Sequence, residues 1–482
     1  LLSRVAAALL VASSCALLSP LPARAGEQLT LDAVAGANPA TGRPPTGFTW
    51  APNGSRYVYT VPPTRPHAPP TLWVHDLGAG TDRPLFAART SQRGTRSRAI
   101  GQVVWSPDAR RIAYLDGGAL DVADANGRHE TRLATDADDP QWSPDGTRLA
   151  FVHDGDLDVV AVATRHVTRL TTGGSASVLN GDPDWLYSEE MGVDHAYAWS
   201  PRGDALAFLR FDDSHVTDYP IQQYLVTPDN TVEHQRYPLA GEKNPHVSLR
   251  VVGAHGGPVR TLYDGAPHDE YVVSFRWTPD GRTVVDEILD RAQQHLRLVA
   301  FARDGAAPRT ILREADPHFL EVPPAPRFLH DGRRFVWISS RDGVAALYLV
   351  DARSGAARRL SGTSPVGDVL QLDEAHGVVY VDADAPTRRE HALVRLSLFG
   401  TSAPADLTPE RGSHAVAMPE RGGVFIDTWS ALDRAPTVFR RSVGGARATI
   451  FASRPLTRYD LGETRLLQIP SARGPLDAWM IL

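Results

Sequence analysis

The chain has 482 residues and a formal net charge of −6, with 50 Lys and Arg against 56 Asp and Glu. These charges are scattered rather than massed, which leaves no electrostatic footprint for nucleic acid. The length exceeds what one ordinary core holds, so several domains or one large closed β architecture are required.

Residues 1–25 carry Arg4, an apolar stretch from Val5 to Leu18, and Ala23-Arg24-Ala25, which places small residues where a signal peptidase reads. Ser13 and Ser14 interrupt that stretch, which is short of the roughly 20 residues a membrane span needs. The expectation is export to a periplasmic or secreted location, with no membrane span. The single cysteine, Cys15, falls inside this segment, so residues 26–482 contain no thiol and no disulfide.

From residue 47 onward the informative feature is repetition. The unit is an aromatic strand end, a Pro-Asp-Gly-type turn and a second apolar strand. It occurs as Trp50-Ala51-Pro52-Asn53-Gly54, Trp105-Ser106-Pro107-Asp108, Trp142-Ser143-Pro144-Asp145-Gly146, Trp199-Ser200-Pro201-Arg202-Gly203 and Trp277-Thr278-Pro279-Asp280-Gly281, with a worn copy at Phe328-Leu329-His330-Asp331-Gly332. Pro presets φ at the first corner, Asp or Asn bonds the local backbone, and Gly accepts the positive φ that returns the chain. Two further units, around Val378-Val379-Tyr380-Val381 and Val424-Phe425-Ile426, keep the strand pattern without the turn, which brings the count to eight. Units of roughly 35 to 50 residues made of short antiparallel strands predict an all-β, eight-bladed β-propeller over residues 47–452, preceded by an N-terminal segment at 26–46. The fourth unit runs from Trp199 to Trp277, so an extension is expected to leave it between about Asp212 and Pro245 and to serve binding. Near residue 453 the repeat stops and a different domain is expected.

Between the third and fourth units stands Asp184-Trp185-Leu186-Tyr187-Ser188-Glu189-Glu190. Here the sequence resembles the dipeptidyl peptidase IV family of prolyl-oligopeptidase-type serine peptidases. The resemblance continues through Phe211-Asp212-Asp213-Ser214-His215-Val216, Tyr219-Pro220-Ile221, Asn244-Pro245-His246, Arg291-Ala292-Gln293-Gln294 and Ser340-Arg341-Asp342-Gly343. It implies an eight-bladed propeller over an α/β-hydrolase domain that releases dipeptides carrying Pro or Ala second. It also implies that Glu189 and Glu190 bind the substrate's α-ammonium, that residues 453–482 are the start of a truncated hydrolase domain, and that the full-length protein is a candidate homodimer. The partners implied are peptides with a free N-terminus.

The chemistry agrees with that assignment. An α-ammonium has three N–H donors and a positive charge, and two carboxylates share it through charge-assisted hydrogen bonds. A Glu-Glu pair taken alone is most often a solvated turn; the Trp and Tyr before it and the neighbouring motifs favour the functional reading. For Trp185 core packing is the expectation. Tyr187 and Arg65 are candidate substrate contacts, Arg65 on position alone and otherwise a surface arginine. Ser188 stands where the family commonly has another acidic residue, which bears on loop geometry rather than on the pair.

A serine peptidase of this kind needs a Gly-x-Ser-x-Gly elbow followed by Asp and His, and none occurs in these residues. No catalytic residue is therefore expected in this chain, the triad being placed beyond residue 482. The 17 histidines show no metal-site spacing, so neither metal nor cofactor is expected. Two other functions compete: a stand-alone exported propeller that binds proteins, and a sister acylaminoacyl peptidase or prolyl oligopeptidase, neither of which requires the pair.

Overall fold

The structure is a computed structural model, and it describes residues 26–36, 38–63, 70–86, 89–91, 94–96, 100–223, 231–384, 390–472 and 474–482. The expected signal peptide, Cys15 and Arg65 lie outside these residues. The chain forms two compact units, residues 43–453 and a smaller one made of residues up to 42 with residues from 454 onward.

The larger unit is an eight-bladed β-propeller. Each blade is an antiparallel meander. Blade 1 comprises Thr46–Trp50, Arg56–Val61, Thr71–Asp76 and Thr81–Pro84. Blade 2 runs from Ile100–Trp105 to Thr131–Ala134, blade 3 from Asp138–Trp142 to Val167–Arg169, and blade 5 from Glu270–Trp277 to Arg309–Ala315. Blade 6 begins at Arg327–Phe328, blade 7 at Val366–Asp373 and blade 8 at Ser413–Ala417. Blade 4 has five strands and is treated with the site.

The repeated turn works as its chemistry requires, with one addition. In blade 3, Gly146 has φ +68° and its N–H donates to Ser143 O at 2.8 Å, while Asp145 Oδ1 accepts from Thr147 N–H at 3.0 Å. The Ser143 hydroxyl, fully buried, donates to Asp145 Oδ1 at 2.6 Å and accepts from Arg148 N–H at 3.0 Å. Ser106 and Thr278 do the same in blades 2 and 5.

The tryptophan at each turn is the bond between blades. The indole N–H of Trp105 donates to Thr49 O at 3.1 Å, that of Trp142 to Val104 O at 3.2 Å, that of Trp199 to Gln141 O at 3.1 Å and that of Trp277 to Ala198 O at 3.1 Å. Each acceptor is the residue before the preceding blade's tryptophan. Trp50 closes the ring by donating to Ala417 O of blade 8 at 2.9 Å. Arginines reinforce the seams: Arg111 of blade 2 lies 4.9 Å over the Trp142 ring and donates to Gly146 O, and Arg148 of blade 3 lies 5.2 Å over Trp199 and donates to Gly203 O. One blade cannot bury both faces, so these seams, with the apolar clusters between neighbouring blades, are where the core sits.

Residues 453–482 correct the sequence expectation of a hydrolase start. Thr464–Ile469 and Leu476–Ile481 form one antiparallel hairpin, and no α/β-hydrolase portion is evident among the described residues. An α/β-hydrolase layer needs parallel strands with helices over both faces, and this segment carries two strands and no helix. Among the described residues no helix is long and apolar enough to cross a membrane.

Candidate functional site

The first strand of blade 4 is split. Val178–Asn180 pairs with the upper half of Ala205–Asp212, Tyr197–Trp199 pairs with its lower half, and residues 181–196 loop out between them. Leu209 pinches the base of this loop: its carbonyl accepts from Gly181 N–H and its N–H donates to Ala196 O, both at 2.8 Å. Gly181 is required there, because φ is +78° and an added Cβ would stand 2.7 Å from Leu157 Cδ2.

The looped-out segment carries a short π-helix, Leu186–Glu190. Asp184 starts it, with Oδ1 accepting from Tyr187 N–H at 2.8 Å and its carbonyl from Ser188 N–H at 3.0 Å. Tyr187 is buried in the core between blades 4 and 5; its ring meets Phe211 edge-on at 4.9 Å and its hydroxyl accepts from Val272 N–H at 3.2 Å. A substrate contact through that hydroxyl is not available in this arrangement, which corrects the candidate role given to Tyr187. Trp185, expected in the core, is half-buried instead and packs at 4.5 Å against Tyr237 of the blade 4 extension. That extension carries the hairpin Asp218–Gln222 with Val232–Arg236. The returning leg is fixed to blade 3, where His195 Nδ1 lies 2.7 Å from Asp139 Oδ1 and the Tyr197 hydroxyl donates to Ala150 O at 3.0 Å.

With both legs and the middle of the loop held, Glu189 and Glu190 stand on its outer side. Both are exposed, and among the described residues neither carboxylate has a hydrogen bond or ion pair. Residues Met191 to His195, directly after the pair, line a cavity of about 1270 Å³ whose walls are contributed by blades 3 to 8. The pair offers two free, exposed carboxylates, next in sequence to chamber-lining residues but not themselves among them, and two such carboxylates have the right charge to accept an ammonium group.

Sequence reasoning missed a second carboxylate pair beneath this one. Asp184 and Asp213 are both 4% exposed, and each carboxyl acts on the pKa of the other. Asp184 Oδ2 and Asp213 Oδ1 have no hydrogen-bond partner among the described residues, and a proton held between the two carboxyls would satisfy both. Burial, then the charge of Asp213, pushes Asp184 up to about 8; burial, then the charge of Asp212, pushes Asp213 up to about 6, with His215 and Arg236 opposing. Two acidic residues quoted separately in the motif and in Phe211-Asp212-Asp213 were visible in sequence; their pairing was not.

The model of the family described as the dipeptidyl peptidase IV (DPP IV) N-terminal region matches residues 117–436, more than half of the chain. The chain belongs to this family. Among similar proteins, the inactive dipeptidyl peptidase 10 of Rattus norvegicus is 32% identical over 226 residues, 43% of this chain and 28% of that protein. Venom dipeptidyl peptidase 4 of Apis mellifera is 30% identical over 252 residues, 48% of this chain and 30% of the relative. These matches thus span under a third of the length of either DPP IV-family relative. The crystal structure of Porphyromonas gingivalis dipeptidyl peptidase 4 superposes with a TM-score of 0.77 at 23% identity, covering 90% of this chain and 64% of that one. That likeness carries the propeller fold. Among the described residues no group of three His, Cys, Asp or Glu side chains is placed to hold a metal ion.

Proposed function

We propose that this chain is the substrate-gating, N-terminus-binding propeller of an exported serine dipeptidyl peptidase that releases X-Pro or X-Ala dipeptides. Glu189 and Glu190 grip the peptide's α-ammonium, and the catalytic triad is supplied by a hydrolase domain of the full-length protein. The observation that carries the reading is the free acidic pair on a braced loop, next in sequence to residues that line the chamber. Such a site rejects blocked or longer N-termini, because its carboxylates then stay unpaired. Homodimerisation of the full-length protein belongs to the same proposal.

In the full-length enzyme, Glu189→Gln or Glu190→Gln lowers kcat/KM on a free-amine dipeptidyl-Pro substrate by about 10²-fold, roughly 3 kcal/mol for a charge-assisted contact. The N-acetylated substrate is turned over poorly by parent and variants alike. Unchanged kcat/KM in both variants removes the assignment.

A second reading has one observation in its favour, the similarity to a relative named as inactive. On that reading the propeller is an exported protein-binding module. Peptide binding that is insensitive to acetylation of the N-terminus supports it over the first.

A further inference from the structure

The turns define a layer around the chamber. In each blade the residue one position before the seam residue pairs with the residue nine further along: Thr49 with Val58, Val104 with Ala113, Gln141 with Ala150, Ala198 with Ala207, Arg276 with Val285, Arg327 with Val336, Gln371 with Tyr380 and Ala417 with Ile426. These eight positions are structurally equivalent. Their backbone carbonyls in blades 1 to 4 and 8 are taken by the indole seams, and from blade 3 to blade 7 the residues themselves line the cavity.

Only two of the eight are charged. They are Arg276 and Arg327, they occupy neighbouring blades 5 and 6, and both line the chamber. Among the described residues neither guanidinium has a hydrogen bond or an ion pair. This sets them apart from the seam arginines, which are all engaged with carbonyls, carboxylates or rings.

The surrounding acids do not neutralise them. Glu374, on the same cavity wall, is committed to His330 at 2.6 Å. Asp194 and Glu420 line the cavity but pair with neither arginine. Glu287, fully buried on the adjoining strand, accepts from the Ser274 hydroxyl at 2.8 Å and forms no ion pair with either arginine; burial raises its pKa, and the Arg276 charge opposes that rise. Arg276 keeps an exposed surface although the protein crowds around it; that crowding first and then the Arg327 charge lower its pKa, against the attraction of Glu287 and of Asp368 on the first strand of blade 7. An arginine stays protonated under such pressure, so the repulsion persists.

We propose that Arg276 and Arg327 form an oxyanion site within the propeller chamber, taking a carboxylate such as a peptide C-terminus or an inorganic anion of the same shape. Planar guanidinium forks fit two-oxygen anions, and two of them stand in one layer of equivalent positions on neighbouring blades and line the same cavity. The site lies on different blades from the Glu189–Glu190 loop and stands whether or not that pair binds an amine.

The test is thermal unfolding of the full chain at constant ionic strength, with inorganic phosphate replacing chloride. The melting temperature rises saturably with phosphate; Arg276→Gln and Arg327→Gln each weaken the apparent affinity by at least about tenfold, and the double variant loses the response. N-acetyl-Ala-Pro and its C-terminal amide distinguish the sources: competition by the acid alone assigns the site to peptide carboxylates, and competition by neither assigns it to inorganic anions. If a glutamine variant does not fold, Ala198→Glu keeps both arginines, places an internal carboxylate in the same layer beside Arg276, and weakens the phosphate response. A response to phosphate no larger than to chloride, or a double variant that responds like the parent, overturns the proposal.

Discussion

The buried Asp184–Asp213 pair makes the stability of blade 4 depend on pH in a direction opposite to that of an ion-paired carboxylate. In the unfolded chain both carboxyls titrate near pH 4. In the folded chain they are raised, Asp184 to about 8 and Asp213 to about 6, so between these limits the native state holds protons that the unfolded state has released. Linkage then fixes the sign: the pair's stabilisation is complete below about pH 4, is lost as pH rises through the folded values, and levels off above about pH 8. One proton corresponds to a slope of about 1.4 kcal/mol per pH unit. Asp184→Asn replaces the shared proton by a permanent amide N–H facing Asp213, and its carbonyl oxygen can still accept from Tyr187 N–H. The variant should therefore match the parent near pH 5 and exceed it by about 1–3 kcal/mol near pH 7 to 8. Urea unfolding of both proteins at several pH values, followed by tryptophan fluorescence, reads the difference with other titrating groups cancelled. A difference that does not change with pH, or a variant that loses ground as pH rises, refutes the shared proton.

Two further outcomes follow from the repeats. Blade 2 is the one Trp-Ser-Pro turn with alanine at the left-handed position, Ala109 at φ +58°, where Gly146 and Gly203 hold φ +68°; Ala109→Gly should raise stability by up to about 1 kcal/mol and Gly146→Ala should lower it by about as much, both measured by chemical denaturation. Trp142→Phe removes the indole bond to Val104 O and weakens the Arg111 ring contact while keeping an aromatic ring, so it should cost about 1–3 kcal/mol in the same assay, and a neutral result would remove the seam from the account of ring closure.

The propeller was legible because each blade repeats its own instructions within a few residues. A Pro with an Asp or a Gly at fixed offsets specifies a turn locally, and five such turns after tryptophan specify most of a ring. The seam function of those tryptophans was not legible, since each indole meets a carbonyl of the neighbouring blade, 38 residues away for Trp142, 79 for Trp277 and 367 for Trp50. The same limit explains the exchange of roles between Trp185 and Tyr187. Both are aromatic and two apart, and which one enters the core depends on a π-turn and on the place where the split strand rejoins blade 4. Asp213 could be named from its motif, yet its partnership with Asp184 arises only because strand Ala205–Asp212 runs back past the loop it helps to pinch. The hairpin at residues 464–481 shows the reverse case: a resemblance attributed a larger fold to this segment, and that fold needs elements these residues do not contain.

The way blade 4 displays its acidic pair bears on how substitutions there should be interpreted. An insertion into a strand ordinarily breaks the ladder at the point of entry. Here the ladder is continuous across the insertion: Asn180 pairs with Arg210, Gly181 N–H and Ala196 O both bond Leu209, and Tyr197 pairs with Phe208. Residues 182–195 are thus added to the blade without loss of a backbone hydrogen bond, and the cost is confined to ordering the loop. Burial of Tyr187, Val193 and Ala196 in the apolar cluster shared with blade 5 offsets that cost. None of this support passes through Glu189 or Glu190, which are exposed and without partners among the described residues. Replacing either carboxylate by an amide leaves the pinch, the tyrosine anchor and the buried aspartates in place, so a change in peptide binding reports on the carboxylates themselves and not on the blade that carries them.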